Sequence, residues 1–253
     1  MSDRIFASTE GQRGRITLAA GPLNILNIND ITELDQALAK LSYCHIIVIE
    51  ASGDRAFSAG MEVADHTRER APIMLKALES LTERFLTTPA VTIAKVGGPA
   101  LGGGFELVLL CDLSICSERA RFALPEVQLA ALPPIACELL PLTIGDQRAR
   151  DLILTGRSID ALTAERWGVT SRLVDHEQLD HETDVLAEHL LSLSADGLAC
   201  CKHAARSRNL FDALRVYTNR LLPTHDAAEG IRAFLERRTP QWQPSRSLEE
   251  LTR

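Results

Sequence analysis

Two acids stand where an acid is unexpected. Glu106 comes two residues after the glycine-rich run "GGPALGGG" (97–104) and opens the apolar segment "FELVLLC". Glu126 follows Pro125 in "RFALPEVQLA", twenty residues further on. A carboxylate taken out of water without a partner is costly, so an acid at the mouth of a buried helix points to work on protons or water. The glycines place free backbone N–H groups at a helix N-terminus, where the dipole favours developing negative charge. The loop "RAFSAGMEVADH" (55–66), through Ser58, Ala59 and Gly60, offers a second N–H. Two donors converging on one oxygen are what enolate or tetrahedral chemistry requires. Each feature also has a plain reading. Glycines let a strand turn sharply into a closely packed helix, the Ser-Ala-Gly loop is an ordinary turn, and a Glu after Pro is usually a solvated or capping acid.

Other chemistries fit less well. A phosphate-binding loop needs Lys-Ser/Thr after its last glycine, whereas Phe105 and Glu106 follow here, and the GxGxxG spacing also fails. His225-Asp226 has no accompanying nucleophile elbow. No His, Cys and acid cluster has metal-ligand spacing. A formal net charge of −7 disfavours nonspecific contact with nucleic acid or anionic membrane. The six cysteines form no CxxC pair and mostly lie in apolar runs, as reduced core cysteines do. No stretch approaches a membrane span, and no basic segment precedes a long apolar run. The expectation is a soluble cytoplasmic protein without an export signal.

The elements that must hold these residues are of the α/β class. "RIFASTE" and "RITLAA" read as a hairpin around "GQRG". After "GPLNILNI", Asp30 with Glu33 suggests a helix cap. "HIIVIEA" and "AVTIAKV" read as strands buried on both faces, each followed by a loop and a helix, and "DLSICSE" as a third strand. From about Gly145 the pattern turns helical, ending in a long amphipathic segment from Phe211 to Arg237. A core over 1–190 and a helical region over 191–253 are the expected division, with the polar end of the tail loosely held.

Four ordered stretches, "FSAGMEVADH", "GGPALGGGFELVLLCDLSI", "ARFALPEVQLA" and "LTGRSIDALTAERWGVTSRLV", resemble the crotonase (enoyl-CoA hydratase/isomerase) superfamily. They match in order and separation from about Ile16 to Val174. The resemblance implies a spiral of ββα repeats with a C-terminal helical region, assembled as a trimer or a dimer of trimers. It implies an acyl-CoA substrate and no cofactor beyond the CoA that the substrate carries. The oxyanion hole falls on the backbone N–H groups of Met61 and Gly103. Met61, where a smaller residue is usual, would narrow the acyl pocket without abolishing the hole. The catalytic pair falls on Glu106 and Glu126; hydratases of the family carry both, whereas members that isomerise, hydrolyse or decarboxylate often lack one of them. Substrate or CoA contacts fall on Leu23, Arg55, Ser58, Ala59, Glu62, Val63, His66, Gly102 and Pro133.

The chain departs from the common hydratase pattern after "LAAL". A glycine-rich turn is usual there, but "PPIACELLP" follows. That turn, the "GPLNILNI" opening and the "SAG-x-EVADH" loop resemble most the branch that hydrates cyclohexa-1,5-diene-1-carbonyl-CoA in anaerobic degradation of aromatic compounds through benzoyl-CoA. A general enoyl-CoA hydratase, an isomerase on the same scaffold, and a noncatalytic or RNA-binding member are the alternatives.

Overall fold

The structure, a computed structural model, describes residues 4–243. The tail end expected to be loosely held, 244–253, lies outside the described residues. The chain opens with the expected hairpin, Ile5–Glu10 (β1) antiparallel to Arg13–Leu18 (β2). With β2 begins a fourfold repeat of long strand, short strand and helix. The first unit adds Ile25–Leu26 (β3) and Ile28–Lys40 (α1). The second is Ile46–Ala51 (β4), Gly60–Met61 (β5) and Ala71–Thr87 (α2). The third is Val91–Val96 (β6), Ala100–Leu101 (β7) and Gly103–Leu110 (α3). The fourth is Leu113–Ser117 (β8), Arg121–Ala123 (β9) and Pro134–Ile144 (α4).

Beyond the repeats come Asp146–Thr155 (α5), Ile159–Asp160 (β10), Ala161–Trp167 (α6) and Arg172–Val174 (β11). Leu179–Leu191 (α7), Ala195–Ser207 (α8), Leu210–Val216 (α9) and His225–Leu235 (α10) complete the described chain. The long strands form one sheet, β1-β2-β4-β6-β8-β11, parallel from β2 onward. The short strands pair as β3-β5 and as β10-β9-β7.

At its centre the sheet is covered on both faces, which is why β4 and β6 read as nearly unbroken apolar runs. In β4, Ile47 and Ile49 enter the large core with α1, α2 and α3, while Ile46 and Val48 meet Leu179, Leu186 and Leu190 of α7. Helix α8 extends this cover beyond residue 190, with Leu198 packed against the same cluster.

Three expectations are corrected. Helix α1 starts before Asp30: Asn27 is its cap, accepting from the N–H groups of Asn29 and Asp30, while Asp30 is the reciprocal partner in the capping box. The "PPIACELLP" stretch is a helix rather than a turn, because Pro134 sits at the first helical position, where a missing N–H costs nothing. The segment 211–237 is broken: α9 passes into a wide turn, Tyr217–Leu221, and a new cap at Thr224 starts α10. Of the cysteines, Cys44, Cys116 and Cys200 are buried and Cys111 half-buried, whereas Cys137 and Cys201 are exposed. Among the described residues, no helix is long and apolar enough to cross a membrane. No group of three metal-capable side chains occurs among them.

Candidate active site

A cavity of about 530 Å³ opens between the α3 N-terminus, the loop after β5, α2 and the start of α4. Its titratable lining groups are His66, Glu106 and Glu126; the rest are glycine, alanine, proline and larger apolar side chains. A smaller polar cavity of about 230 Å³, lined by Asp54, Lys95, His176 and Asp180, contains none of the sequence-derived site residues.

The glycines serve close approach. Gly102 caps α3 with φ +54°, and a Cβ there would stand 2.7 Å from Glu126 Oε1. A Cβ on Gly104 would stand 2.3 Å from the Ser58 carbonyl oxygen, so α3 and the β5 loop can touch only through glycine. A Cβ on Gly60 would lie 3.3 Å from Gly103 N, which puts the segment leading into Met61 against the first residue of α3. Helix geometry leaves the Gly103 N–H without an intrahelical acceptor. The Glu62 N–H donates to Leu26 O at 2.8 Å, so strand alternation turns the preceding N–H, that of Met61, away from β3. Both sequence-derived hole donors thus lie on adjoining segments at the cavity wall, with the Met61 side chain over Gly103.

Glu106 sits one turn into α3 and is only 3% exposed. Its Oε1 accepts from the first two N–H groups of α4, Ile135 at 2.8 Å and Ala136 at 3.0 Å. Burial pushes its carboxyl up to about 7; the Ala136 and Ile135 N–H groups oppose the rise and the nearby Glu126 charge adds to it. Glu126 stands on the turn Pro125–Leu129. Burial raises its carboxyl too, opposed by its own backbone N–H and by His66. Its Oε2 is buried and has no hydrogen-bond partner among the described residues. One carboxyl is therefore fixed by the backbone and the other is left to meet something that enters the cavity. Two such groups beside two N–H donors can hold a water, move its proton and stabilise charge on a thioester oxygen.

The remaining sequence-derived residues divide. Ala59, Val63, His66 and Gly102 line the cavity. Ser58 is fully buried, donating to Asn24 O at 2.7 Å and accepting from Gly60 N at 3.1 Å, so it shapes the hole loop from behind. Leu23 and Arg55 are exposed outside the cavity lining, and Leu23 contributes its carbonyl to the Ala59 N–H. Glu62 is exposed, and its carbonyl accepts from His66 Nδ1 at 3.1 Å. Pro133 is buried outside the lining, where its neighbour Pro134 takes the place expected for it. Sequence reasoning missed the α2 wall of Met74, Leu75 and Leu78, and Leu129 and Leu132 shortly after Glu126. The i, i+4 pair Met74 and Leu78 was the available signal.

The Enoyl-CoA hydratase/isomerase family model matches residues 12–245. The chain belongs to that family and is an enzyme of its hydro-lyase type, acting on acyl-CoA. It is 31% identical to the cyclohexa-1,5-dienecarbonyl-CoA hydratase of Thauera aromatica, over 95% of this chain and 96% of the other. It is 35% identical to the probable enoyl-CoA hydratase echA8 of Mycobacterium tuberculosis, over 95% and 98%. The crystal structure of an enoyl-CoA hydratase from Bacillus anthracis superposes with TM-score 0.88 at 28% identity, covering 96% of this chain and all of that one.

Proposed function

We propose that the enzyme adds water to a conjugated cyclic dienoyl-CoA, converting cyclohexa-1,5-diene-1-carbonyl-CoA to 6-hydroxycyclohex-1-ene-1-carbonyl-CoA. The observation that carries hydration is the pair Glu106 and Glu126 in one cavity with the Met61 and Gly103 N–H groups. The ring is supported by the likeness to the Thauera enzyme and by the Met61 side chain lying over Gly103 at the cavity wall. Water attacks the β-carbon while one carboxylate takes its proton. Charge flows through the diene into the thioester oxygen, held by the two N–H groups. The dienolate is reprotonated at its far end by the other carboxyl, so one water is added and the CoA ester stays intact. Glu106, near 7, is suited to exchange a proton at neutral pH.

A straight-chain enoyl-CoA hydratase is the second reading, favoured by the 35% identity to the mycobacterial relative. Offering purified enzyme crotonyl-CoA and the cyclic dienoyl-CoA side by side separates them by product mass. Rapid turnover of the chain with none of the ring overturns the cyclic assignment. Assembly as a trimer or dimer of trimers is supported by the exposed apolar side chains Leu210, Phe211, Leu214, Phe234 and Leu235 on α9 and α10. Sedimentation at micromolar protein tests it, and a monomer overturns it.

A further inference from the structure

His66 is the cavity's third titratable group, and the hydration scheme leaves it unused. It ends the short turn Val63–His66 after β5, and its Nδ1 lies 3.1 Å from the Glu62 carbonyl. A carbonyl oxygen only accepts, so Nδ1 carries the hydrogen of this contact. The Glu126 carboxyl lines the same cavity with Oε2 buried and without a hydrogen-bond partner among the described residues.

Apart from Glu106, the other charged groups around this pair are paired elsewhere or lie outside the cavity lining, as do the exposed Arg68 and Glu69 that follow His66. Asp65, on the His66 turn, takes Arg70 and the Ile28 N–H. On α2, Lys76 and Glu79 pair with each other in solvent. On α5, which packs against the Glu126 turn, Asp146 pairs with Arg150, Asp151 with Arg157, and Arg148 lies over Trp167. From α4 come the thiol of Cys137 and the exposed Glu138. From α3 comes Glu106, a like charge. His66 is thus the cavity group able to bring positive charge to Glu126.

We infer that His66 is a positioning residue for Glu126, setting across the cavity the charge state of a carboxylate whose buried Oε2 the fold leaves unpartnered. This rests on the reading that Glu126 handles a proton in hydration. The electrostatic sign agrees: burial drives the Glu126 carboxyl up and His66 pulls it down. Without His66 the carboxylate forms only at higher pH.

The test is the titration of Glu126 in the intact protein, followed by ¹³C NMR of carboxyl-labelled glutamate and assigned with Glu126→Gln. It is run on wild type, His66→Gln and His66→Leu, so that one variant serves if the other fails to fold. The midpoint is expected to rise in a folded variant, with the acid limb of kcat/KM moving the same way and KM little changed. A midpoint that stays put or falls overturns the inference. If wild type hydrates no enoyl thioester, the functional reading fails while the NMR titration still decides the His66 pairing.

Discussion

The two ends of α3 each carry a carboxylate, and the fold treats them in opposite ways. Just beyond the C-terminal end, Asp112 accepts from Thr92 N at 2.8 Å, Thr92 Oγ1 at 2.9 Å, Lys202 Nζ at 2.8 Å and Arg206 Nε at 2.8 Å. Lys202 reaches on to Ala90 O at 2.7 Å, and Arg206 to Leu110 O at 2.6 Å. Near the N-terminal end, Glu106 has two neutral backbone donors, and the nearby charged group acting on it is another acid, Glu126. A carboxylate with cations and donors on both oxygens ties helices to a sheet. A desolvated one without a counter-charge is a proton carrier held in place.

The largest effect should separate the two ends by rate. Glu106→Gln and Glu126→Gln are each expected to lower kcat for hydration about 10²–10⁴-fold, measured by loss of enoyl-thioester absorbance. At the other end, Lys202→Met should cost about 3 kcal/mol in urea unfolding, as breaking a buried pair does, with the rate per folded molecule unchanged. A fall in both quantities at either end would erase the contrast.

Stability against pH sharpens it further. The Glu106 carboxyl sits near 7 when folded against an ordinary 4.5, so the folded state binds more protons between those values. Its contribution is therefore greatest below about 4.5 and declines as pH rises through about 7, by roughly 3 kcal/mol in all. Glu106→Gln should flatten that decline in urea unfolding at pH 5 and pH 8.

Gly103→Ala places a Cβ 2.7 Å from Met61 Cε and 2.8 Å from its Cγ. Pushing that side chain into the hole should lower kcat about 10–100-fold, and Met61→Ala in the same protein should restore part of it. The smallest expected effect is on stability: Glu126→Leu removes an unpartnered buried oxygen and should raise unfolding stability by about 1 kcal/mol. No gain in melting temperature would mean that Oε2 is satisfied after all.

Much of this was legible in the residues. The buried strands announced themselves as β-branched runs, and the triple glycine with Glu106 and Glu126 marked the cavity because acids and glycines are rare company for apolar helices. What stayed hidden depends on contacts distant along the chain. The donors to Glu106 are Ile135 and Ala136, ordinary apolar residues whose backbone alone acts. The start of α4 was obscured by Pro133 and Pro134, which read as a turn until the first is seen as a cap and the second as position one. Ser58 read as a ligand contact, because nothing local says that its hydroxyl is spent on Asn24 and Gly60.

The central claim is that Glu106 and Glu126 together add water to an acyl-CoA double bond. Its most direct measurement is product mass and rate in ¹⁸O-labelled water for wild type, Glu106→Gln and Glu126→Gln, with crotonyl-CoA and the cyclic dienoyl-CoA as substrates. The predicted result is one ¹⁸O hydroxyl per product with the CoA ester intact, formed by wild type at least about 10²-fold faster than by either variant. Full hydration rate in both variants would contradict it.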